Sequence, residues 1–212
     1  YSRPKQLQQP PSPQVEETKH VTRRYDAHKT TTPPAAGVLC LVCGQNLSIC
    51  GSRVVFSGAY YVFSSSQDYV TTSSLSNSVN FGSLNGARHS AAGVEDTGGR
   101  GLICGGSQAR SPASPSNIID YIQISTVNSA TDFGNCISNV MQMCGASGTG
   151  NRSVLVGGKN SSSYSASTAQ MQYITTSSTS NANSMGSLTQ SRVASAGHTN
   201  GSRGVFSGGK YS

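Results

Sequence analysis

The chain has 212 residues, a net charge of +7, only 11% charged residues, 24 glycines and no tryptophan. That composition excludes a coiled coil or helical bundle, and the lack of a Gly-X-Y period excludes collagen. No apolar run approaches the ~18 residues of a transmembrane helix, so an all-β protein of short strands or a Gly/Ser-rich disordered chain remains.

Residues 1–37 read as an extended, Pro-rich basic arm. Six of the eight prolines are Pro4, Pro10, Pro11, Pro13, Pro33 and Pro34. Arg3, Lys5, Lys19, Arg23, Arg24 and Lys29 outnumber Glu16, Glu17 and Asp26. Such a stretch buries too little apolar area to offset its chain entropy. It suits a tether to a larger assembly, a contact with an acidic surface, or a plain solvated linker. Its cations are neither clustered nor interleaved with aromatics, so no nucleic-acid partner is expected. A start at Tyr1 without a signal-peptide pattern fits a processed chain or a fragment.

Cys40, Cys43 and Cys50 follow, with His20 and His28 upstream. Three thiols and a histidine are zinc-type ligands, but the interval to Cys50 does not match a paired Cys-x-x-Cys site and no second pair exists. Cys40 and Cys43 are read instead as small hydrophobes alternating on a buried strand, and no metal is expected.

Beyond the arm the sequence repeats. Tyr69, Tyr121 and Tyr173 are spaced by 52 residues, as are Phe81, Phe133 and Met185, then Gly82, Gly134 and Gly186. Leu84, Cys136 and Leu188 keep the same register, and so do Ala92, Cys144 and Ala196. Arg53, Arg100, Arg152 and Arg203 each open an apolar run that ends in glycine, as Gly58, Gly105-Gly106, Gly157-Gly158 and Gly208-Gly209. A disordered segment has no reason to hold apolar residues in register, so an all-β body over residues 38–212 is expected. Each period predicts four short strands. In the second they fall at Ser90–Gly93, Gly101–Gly105, Ile118–Ser125 and around Thr131–Phe133, separated by Gly/Asn/Ser clusters. Three periods, roughly 38–88, 88–140 and 140–192, are followed by half of a fourth, 192–212.

These columns resemble the kelch repeat: a small strand, an apolar strand ending in Gly-Gly, a Tyr strand, then an aromatic strand. Phe81 and Phe133 stand where kelch blades carry a Trp, after a longer gap, and Arg88 and Arg192 match the Arg that closes a kelch motif. The intervening repeat has Val140 there. The stretch Ile118-Ile119-Asp120-Tyr121-Ile122 followed by Ala130-Thr131-Asp132-Phe133-Gly134 is similar to a narrower kelch-like repeat found in structural proteins of tailed phages and other viruses. The resemblance implies β-propeller blades of four antiparallel strands, about three and a half of them in an incomplete ring. It also implies a virion structural protein: a fibre, decoration or minor capsid component. Its partners would be other virion proteins or further copies of itself, and a host-surface glycan or receptor. A cellular kelch-type interaction adaptor, in the cytoplasm, is the alternative.

No catalytic constellation accompanies these columns. There is no Gly-x-Ser-x-Gly elbow, no His-Glu-x-x-His helix and no phosphate-cradling loop, and eight acids spread along the chain do not cluster. No enzyme activity, cofactor or membrane insertion is expected. Cys104, Cys136 and Cys144 occupy core columns, and Asp120 and Asp132 are read as turn or edge residues because Gln172 and Ser184 take their places one repeat later. His89 and His198 flank the small-residue strands. Two Ser-rich stretches after Gly-Gly, Ser107–Ser116 and Lys159–Ser167, are read as long surface loops. Within them Ser107, Gln108, Arg110, Lys159 and Asn160 are the candidate contact residues. The recurring Arg53, Arg100, Arg152 and Arg203 are expected to bond carbonyls between blades.

Overall fold

A computed structural model describes residues 46–50, 53–59 and 64–210. The basic arm and Cys40, Cys43, His20 and His28 lie outside the described residues. What is described is all-β, with one 3-10 turn at Tyr164–Ala166. The first sheet is β1 (Asn46–Cys50), β2 (Arg53–Ala59), β3 (Ser64–Thr71) and β4 (Val79–Ser83), paired in that order. The second contains β5 (Ala92–Glu95), β6 (Arg100–Cys104), β7 (Ser107–Arg110), β8 (Ala113–Gln123) and β9 (Thr131–Val140). Its main path runs β5-β6-β8-β9, with β7 folded back on the start of β8. The third is β10 (Cys144–Ser147), β11 (Arg152–Val156), β12 (Gln170–Thr175) and β13 (Asn183–Ser187). A two-stranded sheet, β14 (Ala196–Thr199) with β15 (Gly204–Ser207), comes last. Every pairing is antiparallel, and among the described residues no barrel and no closed ring of sheets forms.

The apolar strands form because each must bury both of its faces. β6 runs Gly101-Leu102-Ile103-Cys104, all buried. Leu102 and Cys104 join Val94, Ile119, Phe133, Leu155 and Ile174 in a core between the second and third sheets. Ile103 points the other way and joins Val55, Phe81, Leu84, Ile122 and Ile124 between the first and second. A strand sandwiched on both sides loses the polar alternation of a half-exposed strand and reads as a short continuous apolar run. The cores therefore lie between successive sheets, and the first strand of each sheet lies beside the first strand of the next.

Several strand limits differ from expectation. The small strand begins at Ala92, two residues later than the spacing suggests. β9 continues from Phe133 to Val140 because Cys136 and Val140 also turn inward and Ser116 pairs with Val140. The largest correction concerns Ser107–Ser116, which is not a long loop. It is a hairpin, with Ser107 opposite Pro115 and Arg110 opposite Ala113. The Ser107 hydroxyl stabilises it, donating to the Ala109 carbonyl at 2.6 Å and accepting from the Ser114 amide at 3.0 Å.

Candidate functional site

The repeated columns act as latches between sheets. The Arg at the start of each apolar strand lies over the Tyr of the strand paired with it: Arg53 over Tyr69 at 4.9 Å, Arg100 over Tyr121 at 4.8 Å and Arg152 over Tyr173 at 4.6 Å. Antiparallel pairing places them together; Arg100 sits opposite Gln123, two residues beyond Tyr121 on β8. The guanidinium then reaches across to the following sheet. Arg53 donates to the Ile124 and Ser125 carbonyls at 3.2 and 2.7 Å, and Arg100 to the Thr176 carbonyl at 2.7 Å. One face of the cation is held by a ring and one edge by a backbone acceptor, a geometry suited to Arg rather than Lys. Tyr69 and Tyr121 in turn meet Phe81 and Phe133 edge to face, at 5.9 and 6.0 Å. No ring among the described residues lies beneath Arg203.

A buried charge pair supplements the latch between the first two sheets. Arg88 and Asp120 are 2.8 Å apart with neither side chain exposed. Asp120 also accepts from the Asn85 amide at 3.2 Å and its side-chain nitrogen at 2.7 Å, while Arg88 donates to the Ile103 carbonyl at 3.0 Å. Asp120 is therefore not an edge or turn residue. One repeat later Val140 replaces Arg88 and Gln172 replaces Asp120. Gln172 accepts from the Ile137 amide at 3.0 Å, as Asp120 does from Asn85 52 residues earlier. The backbone bond is retained in both, and the acid and its cation disappear together.

The predicted contact residues fall at the sheet ends that follow the glycine turns, where Gly105, Gly106, Gly157, Gly158, Gly208 and Gly209 all have positive φ. They are not equally available. Ser107 is fully buried, bridged to His89, with its hydroxyl used inside the hairpin, so it is no surface contact. Lys159 is also buried, paired on either side with Met141 and Ser167, and its ammonium donates to the Ser162 carbonyl at 3.0 Å. Gln108, Arg110 and Asn160 are exposed. Burial lowers the pKa of Lys159, and Lys210 nearby adds to the shift. Burial likewise lowers that of His89, against a raising hydrogen bond with the Ala109 backbone and with a further lowering from Arg110. Both groups are thus harder to protonate than the same groups in water.

His89 lies 2.8 Å through Nδ1 from the Ser90 hydroxyl, and Ser90 has φ 56°. A strained serine beside a histidine invites a nucleophilic role. Its equivalents Gln142 and Ala194 have φ 58° and 54°, however, so the conformation belongs to the repeat rather than to chemistry at one serine. Cys104, Cys136 and Cys144 are buried free thiols; burial pushes Cys136 and Cys144 up to about 12, far from a reactive thiolate. Among the described residues no group of three or more metal-ligating side chains forms. A cleft of about 400 Å³ lies between the third sheet and β14–β15, lined by Arg152, Met171, Met185, Thr199, Gly204 and Phe206 among others.

Sequence reasoning did not find the Arg88–Asp120 pair, although the joint change to Val140 and Gln172 was a readable signal for it.

No family model matches this chain, and no curated protein matches it. Among solved structures its fold is similar to that of YjhT, at 11% sequence identity and a TM-score of 0.62. The match covers 79% of this chain and 55% of that one, so the chain spans about half the length of YjhT. At that identity the likeness is one of fold alone. No helix among the described residues is long and apolar enough to cross a membrane.

Proposed function

We propose that this chain is a non-enzymatic structural protein of a virion, a fibre, decoration or minor capsid component, whose sheets are kelch-like propeller blades used as an interaction scaffold. The observation that carries this reading is the reuse of one latch in successive repeats, Arg over Tyr with an acceptor in the next sheet. A scaffold of that kind invests its chemistry in joining sheets and leaves its exposed ends for partners. The sequence likeness of Ile118–Gly134 to repeats of viral structural proteins supplies the virion setting. Gln108, Arg110 and Asn160 would meet neighbouring virion proteins, further copies or a host-surface glycan, and the basic arm would tether the body.

Imaging of the native particle with a labelled antibody against the repeat body tests this. Decoration of capsid or tail at symmetric positions is the expected result. A protein recovered only free in cell extract, bound to one cellular partner, would sink the virion reading in favour of a cytoplasmic adaptor.

A further inference from the structure

The chain holds two Asn-Gly pairs, Asn85-Gly86 and Asn200-Gly201, and both asparagines are exposed. Such a pair is open to one reaction in water. The glycine nitrogen attacks the side-chain amide carbon, since no Cβ hinders its approach. The two side chains are held with opposite polarity. Asn85 donates through Nδ2 to Asp120 at 2.7 Å, and its backbone amide donates to the other carboxylate oxygen at 3.2 Å. No donor among the described residues meets its Oδ1. Those bonds hold the nitrogen that would have to leave and put no pull on the carbonyl. Asn200 is the reverse. Its Oδ1 accepts from the Ser202 amide at 3.2 Å, the Ser202 hydroxyl at 3.2 Å and the Arg203 amide at 2.9 Å. Two backbone amides and a hydroxyl aimed at one carbonyl oxygen stabilise the negative charge it takes on when its carbon is attacked.

The fold also fixes the glycine. Gly201 has φ 94°, and a Cβ there would meet the Thr149 methyl at 2.7 Å. Its exposure does not come from lying in the last described sheet. The corresponding turns of the second and third sheets, at Thr97-Gly98 and Thr149-Gly150, are exposed although another sheet follows each.

We infer that Asn200 is a site of spontaneous deamidation, and that Asp120 shields Asn85 from the same reaction. The Gly201 nitrogen bonds to Asn200 Cγ, giving its proton to solvent and losing its bond to the Thr199 hydroxyl at 2.9 Å. Nδ2 departs as ammonia, taking a proton from solvent. Water then opens the five-membered imide at either carbonyl, leaving aspartate or isoaspartate at position 200. One water is consumed and one ammonia released, with no oxidation or reduction. Either product puts a carboxylate close to Arg203, and isoaspartate lengthens the backbone by one carbon. The Gly201 carbonyl, which accepts from the Thr149 amide at 2.7 Å and its hydroxyl at 3.3 Å, then loses its placement. That rung joins the third sheet to β14–β15, so the reaction loosens this joint. None of this depends on a virion role.

The test incubates the 212-residue chain in mildly alkaline buffer, folded or in concentrated urea, and follows both sites by tryptic mapping and mass spectrometry. The peptide of residues 193–203 reports Asn200 and that of residues 54–88 reports Asn85. In urea the two sites should convert at similar rates. In the folded chain Asn85 should trail Asn200 by about tenfold or more, the protection expected of hydrogen bonds to a carboxylate. Amide exchange at Thr149 should quicken in the converted fraction and stay unchanged in an Asn200→Ala variant incubated alongside. Equal folded-state rates at the two sites, or a slower rate at Asn200, would overturn the inference. So would conversion at Asn200 that leaves Thr149 exchange untouched.

Discussion

The second and third sheets share a repeat and differ in how they meet the sheet before them. The second does so through a buried ion pair, Arg88 with Asp120, and the third through a neutral pair of positions, Val140 and Gln172. The common element is a backbone amide, Asn85 or Ile137, donating to the side chain at 120 or 172. What the strand requires is an acceptor for that amide. Whether the acceptor carries charge depends on whether the preceding linker brings a cation. The two sheets also differ on their far side: Phe133 is enclosed by the third sheet, whereas Met185 has no such cover among the described residues.

The largest way to break this comparison is to remove one member of the charged pair. Arg88→Ala should cost about 3–5 kcal/mol in chemical denaturation, since Asp120 is left buried without its cation. Arg88→Val with Asp120→Gln installs the third sheet's solution in the second and should recover most of that loss. A double variant no more stable than Arg88→Ala would mean that the two arrangements are not interchangeable.

Nearly as large is the contrast between the aromatic columns. Phe133→Ala should cost about 3–5 kcal/mol, whereas Met185→Ala should stay within about 0.5 kcal/mol. Equal losses in thermal melts would indicate that Met185 is covered in solution. A smaller version concerns the latches. Arg100→Ala forfeits both a ring contact and a bond to the Thr176 carbonyl, about 1–3 kcal/mol together, and Arg152→Ala only the ring contact, at most about 1 kcal/mol.

The smallest effect is a pH dependence. Unfolded thiols ionise near their ordinary value of 9.0, while folded Cys136 and Cys144 hold their protons to about 12. The unfolded state therefore releases protons first, and stability falls as pH rises from about 9 toward 12, by about 1 kcal/mol per thiol between pH 8 and 10. Cys136→Leu and Cys144→Ala, the residues used at these columns in the neighbouring repeats, should flatten that slope in urea titrations at the two pH values.

The strand columns were legible because antiparallel pairing carries a repeated strand order into repeated contacts: Arg100, Tyr121 and Phe133 meet in space as Arg53, Tyr69 and Phe81 do, the longer Arg-to-Tyr interval of the second sheet being taken up by the β7 hairpin. The hairpin at Ser107–Arg110 was not legible. It is held by backbone pairing and one serine hydroxyl in a stretch whose composition matches a loop, so no apolar pattern marks it. The burial of Lys159 escaped notice for a related reason, since its enclosure comes from backbone bridges to Met141 and Ser167 on either side. Of the contact residues read from sequence, Gln108, Arg110 and Asn160 are exposed and Ser107 and Lys159 are not; glycine turns that fold the chain back inward make the difference.

Ser90, Gln142 and Ala194 share more than an unusual backbone angle. The Gln142 amide donates to the Ser90 carbonyl at 2.7 Å, and the Ala194 amide to the Gln142 carbonyl at 3.0 Å, which makes a main-chain ladder running from sheet to sheet. Side-chain identity has no part in those rungs, and three unlike residues occupy them. Evolutionary drift can therefore rewrite this line among residues that accept a positive φ so long as residue spacing is preserved, while a one-residue insertion would break it. A protein joined in this way can retain its architecture long after ancestry has faded from its sequence.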